Sequence, residues 1–223
     1  MGENIKLKAE DGFELDAYLA LPSGTPKGGV IVIQEIFGVN SHIRDDADKF
    51  AKAGYAALAP AMFDRAQKGV DLGYDAEGIE AGRGIMTKID WANVEKDLRA
   101  ASGALKKYGK IGVVGYCWGG SVAWVSTIRD CGVDCASGYY GGRIIDFIGE
   151  TPKVPVILHF GDKDHGIPIE NVEKIKAAHP DVPVYRYDEA DHGFHCDQRA
   201  SYHAESDAIS TKRTMEFFAK NIG

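Results

Sequence analysis

The segment 111–120 constrains the fold more than any other, because it reads Ile-Gly-Val-Val-Gly-Tyr-Cys-Trp-Gly-Gly. It predicts an apolar strand that runs into Gly115-x-Cys117-x-Gly119 and then a helix over 118–130. The turn is so tight that a side chain at either glycine would collide with the neighbouring strand or helix. Cys117 is then presented at the carboxyl edge of the sheet, where the helix N-terminus favours a thiolate. We interpret Cys117 as a nucleophile in the place usually held by serine, with a buried structural cysteine as the alternative.

Strands and helices alternate along the rest of the chain, which has 223 residues, 44% of them hydrophobic. A β-branched run at 30–33 is typical of a strand covered on both faces. A helix is expected after it, with Ser41 as its cap. Residues 61–86 are less regular and rich in glycine and charge, and we interpret them as a lid or excursion. The alternation predicts one domain over 1–223 with a mostly parallel central sheet and helices on both faces. With the elbow around Cys117, the expected architecture is the α/β-hydrolase fold.

The acid and the base should follow the nucleophile in that order along the chain. Asp162 and Asp164 both lie just after a predicted strand. Asp164 is preferred because it precedes a short turn that can reach across the strand tips, while Asp162 is typical of a turn former. His192 is the expected base, since it follows the next strand and precedes a glycine that leaves it room to move. His195 on the same loop is its rival.

These residues predict a mechanism of nucleophilic catalysis. His192 takes the proton of Cys117, and Asp164 fixes the tautomer of the imidazole and supports its charged form. The backbone N–H of Trp118 is one expected oxyanion donor. The second should come from the loop after strand 30–33, with Ile36 as the leading choice.

Composition limits the possible partners. A net charge of −7 argues against a nucleic-acid partner, and no run reaches the ~20 apolar residues of a membrane helix. The chain start has no secretory pattern, so reduced thiols and a cytoplasmic location are expected. The expected oligomeric state is a monomer or a small homo-oligomer. Cys196 follows His192 and His195, but this local cluster has no distant partner. We therefore expect neither a metal ion nor a cofactor.

Together these segments resemble the dienelactone hydrolase, or carboxymethylenebutenolidase, family over nearly the whole chain. Six motifs carry the resemblance: Gln34-Glu35-Ile36-Phe37-Gly38-Val39-Asn40, Ala59-Pro60, Gly115-Tyr116-Cys117-Trp118-Gly119-Gly120, Gly138-Tyr139-Tyr140-Gly141, Asp164-His165-Gly166-Ile167-Pro168 and Asp191-His192-Gly193-Phe194. The resemblance implies that Glu35 contacts the resting thiol and that substrate releases it; a structural Glu35 is the alternative. It also implies Tyr139 and Phe37 as residues of the substrate pocket.

The resemblance further implies that arginines hold the carboxylate of the substrate, and here the sequence departs from the family. Arg83 could supply the first arginine, although a solvated loop arginine is as plausible an interpretation. The second position lacks an arginine, so either Arg199 or His195 substitutes or the anion is not recognised there. The expected reaction is hydrolysis of a small lactone or ester, with conversion of dienelactone to maleylacetate in aromatic degradation as the leading case. The alternatives are a carboxylesterase of the same fold, a metal-dependent hydrolase, and a non-catalytic binding or redox-sensing protein.

Overall fold

Eight strands form a single sheet in the computed structural model, which describes residues 2–223; Met1, the first residue of the predicted domain, lies outside the described residues. The strands are β1 (Glu3–Lys8), β2 (Glu14–Ala20), β3 (Gly29–Ile33), β4 (Ala56–Pro60), β5 (Ile111–Tyr116), β6 (Cys135–Tyr139), β7 (Val156–Gly161) and β8 (Val184–Tyr187). Their order across the sheet is β1-β2-β4-β3-β5-β6-β7-β8. The β1–β2 and β2–β4 pairings are antiparallel, and all the other pairings are parallel. The predicted mostly parallel sheet is confirmed.

Helices cover both faces of this sheet. They are α1 (Ser41–Lys52), α2 (Ala76–Met86), α3 (Trp91–Leu105), α4 (Trp118–Ile128), α5 (Ile169–Ala178) and α6 (Ala204–Asn221). Gly29 of β3 packs against Leu105 of α3, and its register partner in β5 is Ile111. Because side chains alternate along a strand, Gly112 points to the opposite face, where it packs against Phe218 of α6. The α/β-hydrolase arrangement predicted from the sequence is therefore confirmed.

The cap of α1 differs from the expectation for Ser41. Asn40 is the N-cap, since its backbone is extended and its side chain accepts a hydrogen bond from the Ile43 N–H. Ser41 is the first helical residue, and its hydroxyl donates to Gln198 at 2.7 Å. Asn and Ser are both strong caps, so composition alone did not distinguish two adjacent candidates.

The excursion at 61–86 is more regular than the sequence indicated. It contains α2, whose cap Asp75 accepts a hydrogen bond from the Gly78 N–H at 2.8 Å. The helix lies so close to the loop after β3 that a Cβ on Gly82 would approach the Ile36 carbonyl oxygen to 2.3 Å. The excursion therefore brings a helix, and Arg83 with it, to the carboxyl edge of the sheet.

The carboxyl ends of β3, β5, β7 and β8 collect the residues that the sequence singled out. Glu35 follows β3, Cys117 follows β5, Asp164 follows β7 and His192 follows β8. Parallel strands end at the same edge of a sheet, and open α/β sheets bind ligands at that edge. The topology therefore brings together residues that lie up to 157 positions apart in the sequence.

Candidate active site

Cys117 occupies a tight elbow between β5 and α4. Its backbone has φ 57° and ψ −118°, and positive φ is unusual for a residue other than glycine. A Cβ on Gly115 would lie 1.9 Å from the Gly119 carbonyl oxygen, and a Cβ on Gly119 would lie 2.5 Å from the Ile33 carbonyl oxygen. Both glycines are therefore required for the close approach of backbone to backbone. The elbow leaves the Cys117 side chain half-buried at the sheet edge.

The loops after β7 and β8 bring Asp164 to His192. Nδ1 of His192 lies 2.7 Å from Oδ2 of Asp164. The other Asp164 oxygen accepts hydrogen bonds from the N–H groups of Gly166 and Ile167, at 2.8 and 3.1 Å. These hydrogen bonds hold the buried Asp164 carboxylate in place. The carboxylate in turn orients the His192 imidazole, so that its Nε2 is available to another partner.

The competing Asp162 has a different environment. Its carboxylate accepts a hydrogen bond from Nε of Arg186 at 2.8 Å, on the outer edge of the sheet. The structure thus brings Asp164, and not Asp162, to the predicted base.

The charge of Cys117 affects the pKa of His192. Burial lowers the pKa of His192, but the charge of Cys117 and the hydrogen bonds to Asp164 and Cys117 outweigh it and raise that pKa to about 10. A protonated imidazole at His192 is therefore favoured at neutral pH. A charged imidazole beside a cysteine is an arrangement that activates cysteine nucleophiles.

Two amide groups beside Cys117 have no protein acceptor. Within residues 2–223, the backbone N–H groups of Ile36 and Trp118 donate to no other protein atom. Trp118 is the first residue of α4, where an N–H has no partner inside the helix. Ile36 and Trp118 both line the cavity that contains Cys117, so their amides are suited to an oxyanion hole.

This cavity has a volume of about 470 Å³. It is mostly apolar, with Cys117 and His192 in its wall and three arginines around it. Its lining residues are Ile36, Phe37, Ile79, Arg83, Met86, Cys117, Trp118, Ser121, Gly142, Arg143, His165, Gly166, Ile167, Asp191, His192 and Arg199. The sequence-predicted Phe37, Arg83 and Arg199 are therefore in place around the thiol, and a small ester fits the volume.

The three arginines differ in what they already bind. Nη1 of Arg199 lies 2.9 Å from Oε1 of Glu35, and Arg143 is paired with Asp146. Arg83 on α2 is exposed and makes no ion pair with any residue of the described range 2–223. Arg143 and the lining residue His165 were missed as pocket residues, since neither stands in a pattern that signals binding.

Glu35 is almost completely buried beneath the cavity. Its side chain is 1% exposed, and the guanidinium of Arg199 holds one of its oxygens. Arg199 also lies over the rings of Phe37 and Tyr74, each 5.6 Å from the ring centre. The charge of Arg199 is thus directed at Glu35 and is stabilised by two aromatic faces.

Gly193 allows Arg199 to take this position. It has φ +80°, and a Cβ there would lie 2.5 Å from Nη1 of Arg199. The glycine that follows His192 therefore serves the approach of the guanidinium, a role that the sequence did not reveal.

The expectation that Tyr139 lines the pocket is corrected. Tyr139 is the last residue of β6, its hydroxyl is 2.7 Å from Oγ1 of Thr214, and its ring stacks on His159 at 4.4 Å. The next residue, Tyr140, instead packs its ring 5.0 Å from that of His192. Tyr140 follows the end of β6 and has a positive φ of 38°, so the chain turns there and the two rings take different directions.

His195 is held inside the protein and does not line the cavity. Nε2 lies 2.8 Å from Asp46 and Nδ1 lies 2.6 Å from Asp207, and the ring stacks on Tyr116 at 4.6 Å. Burial lowers the pKa of His195, but the charge of Asp46 and the hydrogen bonds of both carboxylates raise it to about 9. His195 is therefore placed as neither the base nor a substitute for the missing arginine, and it ties the His192 loop to α1 and α6.

Comparison with known proteins shows the family of this chain. A sequence model of the dienelactone hydrolase family matches residues 15–222. The chain belongs to the dienelactone hydrolase family. It is 36% identical to a carboxymethylenebutenolidase candidate from Synechocystis, over 94% of this chain and 93% of that protein. It is 30% identical to the carboxymethylenebutenolidase of Pseudomonas putida, over 97% of this chain and 96% of that protein.

A solved structure shares the whole architecture. A dienelactone hydrolase candidate from Klebsiella pneumoniae superposes with a TM-score of 0.86 at 28% identity, covering 98% of this chain and 99% of that one. Family membership makes this protein a carboxylic ester hydrolase that acts on small esters or lactones. None of the helices within residues 2–223 has the length and apolar character needed to cross a membrane.

Proposed function

We propose that this protein hydrolyses small lactones with Cys117 as nucleophile, His192 as general base and acid, and Asp164 as the orienting carboxylate, with dienelactone as the leading substrate. The observation that carries the proposal is the shared cavity of about 470 Å³, which places the thiol, the imidazole and an unpaired arginine around one small volume. A binding protein or redox sensor would need the cysteine but not the Asp164–His192 hydrogen bond.

The first half of the reaction opens the lactone ring. The Cys117 thiolate attacks the carbonyl carbon, and the carbonyl oxygen takes the negative charge between the Ile36 and Trp118 amides. Collapse of this intermediate breaks the ring C–O bond and leaves a thioester on Cys117. His192 gives its proton to the departing oxygen, so the ring oxygen leaves as an enol or alcohol.

The second half frees the enzyme. His192, now neutral, takes a proton from water while the resulting hydroxide attacks the thioester. The C–S bond breaks, the product acid departs and loses its proton to solvent, and the thiolate–imidazolium pair is restored. Asp164 stays ionised throughout and supports the imidazolium in each half. For dienelactone the product is maleylacetate.

Arg83 is the proposed contact for a substrate carboxylate. It lines the cavity and has no competing acid within the described residues, whereas Arg143 and Arg199 are each paired. A guanidinium recognises a carboxylate through two parallel hydrogen bonds, which orient as well as attract. Arg199 would contribute only if the substrate drew it away from Glu35.

Glu35 is proposed to act through that exchange. Its Oε1 is bound to Arg199, and Oε2 has no hydrogen-bond partner within residues 2–223. A substrate anion that engaged Arg199, whose charge interacts with both Glu35 and Cys117, would release Glu35 from its partner. This supports an involvement of Glu35 in controlling the thiol, in line with the family resemblance.

A carboxylesterase acting on uncharged esters is the second candidate, favoured by the apolar character of the cavity wall. The two are separated by turnover of cis- and trans-dienelactone and of p-nitrophenyl acetate. Loss of both activities in Cys117→Ala is expected, because the thiol is the nucleophile in either case. Full activity in that variant would refute the nucleophile.

Arg83→Gln and Arg143→Gln form a matched pair for the substrate class. Both side chains line the cavity, but Arg143 is paired with Asp146. Arg83→Gln should raise the KM for dienelactone by about tenfold or more, the value of one charge-assisted contact. The KM for p-nitrophenyl acetate should not change in either variant. Equal effects of both variants on dienelactone would refute Arg83 as the specific anion contact.

A further inference from the structure

A buried group of three potential metal ligands lies behind the cavity. Glu35, His42 and Cys196 each offer one ligand atom, and these atoms all lie within 4.8 Å of one another. They come from the loop after β3, the first turn of α1 and the loop after His192. All three residues are buried, so their polar atoms depend on the protein interior for partners.

Three polar atoms of this group have no hydrogen-bond partner within residues 2–223, while the Cys196 thiol contacts the Tyr74 hydroxyl and the Gln198 backbone. Oε2 of Glu35 and both ring nitrogens of His42 have no hydrogen-bond partner. The carboxylates nearest to the His42 ring are Asp46, 3.8 Å from Nε2, and Asp197, 3.9 Å from Nδ1, and both distances exceed hydrogen-bond length. Leaving such atoms unpaired in an interior is costly, and most native interiors avoid it. A ligand with positive charge would satisfy them.

We propose that Glu35, His42 and Cys196 form a binding site for Zn²⁺. Carboxylate oxygen, imidazole nitrogen and thiolate sulfur are all zinc ligands, whereas a thiolate disfavours Mg²⁺ and Ca²⁺. On binding, the Cys196 S–H bond breaks, its proton passes to solvent and the sulfur bonds to the metal. Three protein ligands leave the fourth tetrahedral position to water.

The surroundings of Glu35 suit this role. Arg199 holds Oε1 at 2.9 Å, so Oε2 is oriented and remains available. Metal-ligating carboxylates are commonly held in this way by an outer hydrogen bond. Asp197 lies beside His42 with its side chain 56% exposed, and it offers a negative surface group at the edge of the site.

A second combination, His42 with Asp46 and His195, is also close enough to hold an ion. Its Asp46 and His195 ligand atoms are already engaged, because His195 contacts Asp46 and Asp207 and Asp46 also binds Lys49. The first group is favoured because Oε2 of Glu35 has no partner within residues 2–223, so a carboxylate oxygen remains available there. It also revises the expectation of no metal, because Cys196 gains the distant partners that the sequence pattern lacked.

Cobalt binding tests the site directly, without reference to hydrolysis. Purified, metal-free protein is titrated with Co²⁺, and the thiolate-to-cobalt charge-transfer band is recorded. Zn²⁺ is then added in competition with a chromophoric chelator. We expect one equivalent of Co²⁺ with a thiolate band, displacement by Zn²⁺, and a Zn²⁺ Kd below about 1 µM. Weaker Zn²⁺ binding or a cobalt spectrum without thiolate character would overturn the proposal.

Four variants locate the ion. Cys196→Ser and His42→Phe should each weaken Zn²⁺ binding by more than about 100-fold, since even outer partners of a ligand contribute 10–100-fold. Cys131→Ser, which changes a buried cysteine elsewhere, and Cys117→Ala should retain the band and the affinity. Far-ultraviolet circular dichroism and thermal unfolding confirm that each variant is folded. If Cys117→Ala abolishes the band while Cys196→Ser keeps it, the metal sits on the nucleophile and the proposed site is refuted.

Discussion

The pair of Glu35 and Arg199 is buried unevenly, and this makes its contribution to stability predictable. The Glu35 side chain is 1% exposed and that of Arg199 is 17% exposed. Arg199→Met leaves a carboxylate that cannot reach water, whereas Glu35→Gln leaves a guanidinium that can. Breaking a buried pair costs about 3–5 kcal/mol, and we expect the lower end, about 3 kcal/mol, for Arg199→Met. For Glu35→Gln we expect about 1 kcal/mol, the value of an ordinary hydrogen bond.

The double variant separates the interaction energy between Glu35 and Arg199 from the contacts that each side chain makes with the rest of the protein. Glu35→Gln combined with Arg199→Met removes both charges, so the loss should be about 2 kcal/mol, less than the two single losses together. Urea unfolding of the four proteins at pH 7, followed by fluorescence, gives the free energies of unfolding. Single-variant losses that add to the double-variant loss within about 0.5 kcal/mol would refute a direct interaction between the two side chains.

Three further predictions follow from the elbow, the base and the excursion. Gly119→Ala places a Cβ against carbonyl oxygens at the end of β3 and should lower the free energy of unfolding by more than about 2 kcal/mol. Gly103→Ala, in open space on α3, should instead raise the free energy of unfolding by about 0.5–1 kcal/mol. Equal effects of the two variants in urea unfolding would contradict the packing. The pKa of His192 is raised to about 10, so kcat/KM should fall as the pH rises through that value and the proton for the leaving group is lost. Asp164→Asn should move this limb to lower pH, because it removes a charge that raises the pKa of His192; an unmoved limb would argue against the Asp164 contact. Asp75→Ala removes the cap of α2 and should destabilise that helix by about 1 kcal/mol, seen as faster amide exchange confined to α2; unchanged exchange would contradict it.

Local sequence rules predicted the parts of this molecule that depend on neighbours in the chain. The elbow around Cys117 follows from two glycines and a strand–helix junction, and its steric basis is as expected. The choice between Asp162 and Asp164 as the partner of His192 was harder to predict, because the two residues have the same local sequence pattern. Only the position of Arg186 and the two amides after Asp164 distinguish them.

The remaining features depend on contacts that no local pattern contains. Tyr139 and Tyr140 are adjacent, and the choice between them depends on how the chain turns after β6, where Tyr140 has a positive φ and packs on His192. The pairing of Glu35 with Arg199 spans 164 positions in the sequence, and no periodicity reports it. Such contacts arise from packing of loops at the sheet edge, so sequence reasoning could name the residues but not their partners.

The contact of Gly193 with the Arg199 guanidinium has a consequence for evolution and for redesign. His192, the proposed base, and Arg199, which binds Glu35, lie on one loop, and Gly193 directly after His192 lies close to the guanidinium. A substitution of Arg199 would therefore change the packing directly after His192. Selection for binding a new anionic substrate through Arg199 would therefore also affect proton transfer by His192. Changes at Arg83 on α2 leave the His192 loop intact. Natural relatives and engineered variants with new substrates should therefore differ first in the excursion at 61–86 and only later in the loop that carries His192.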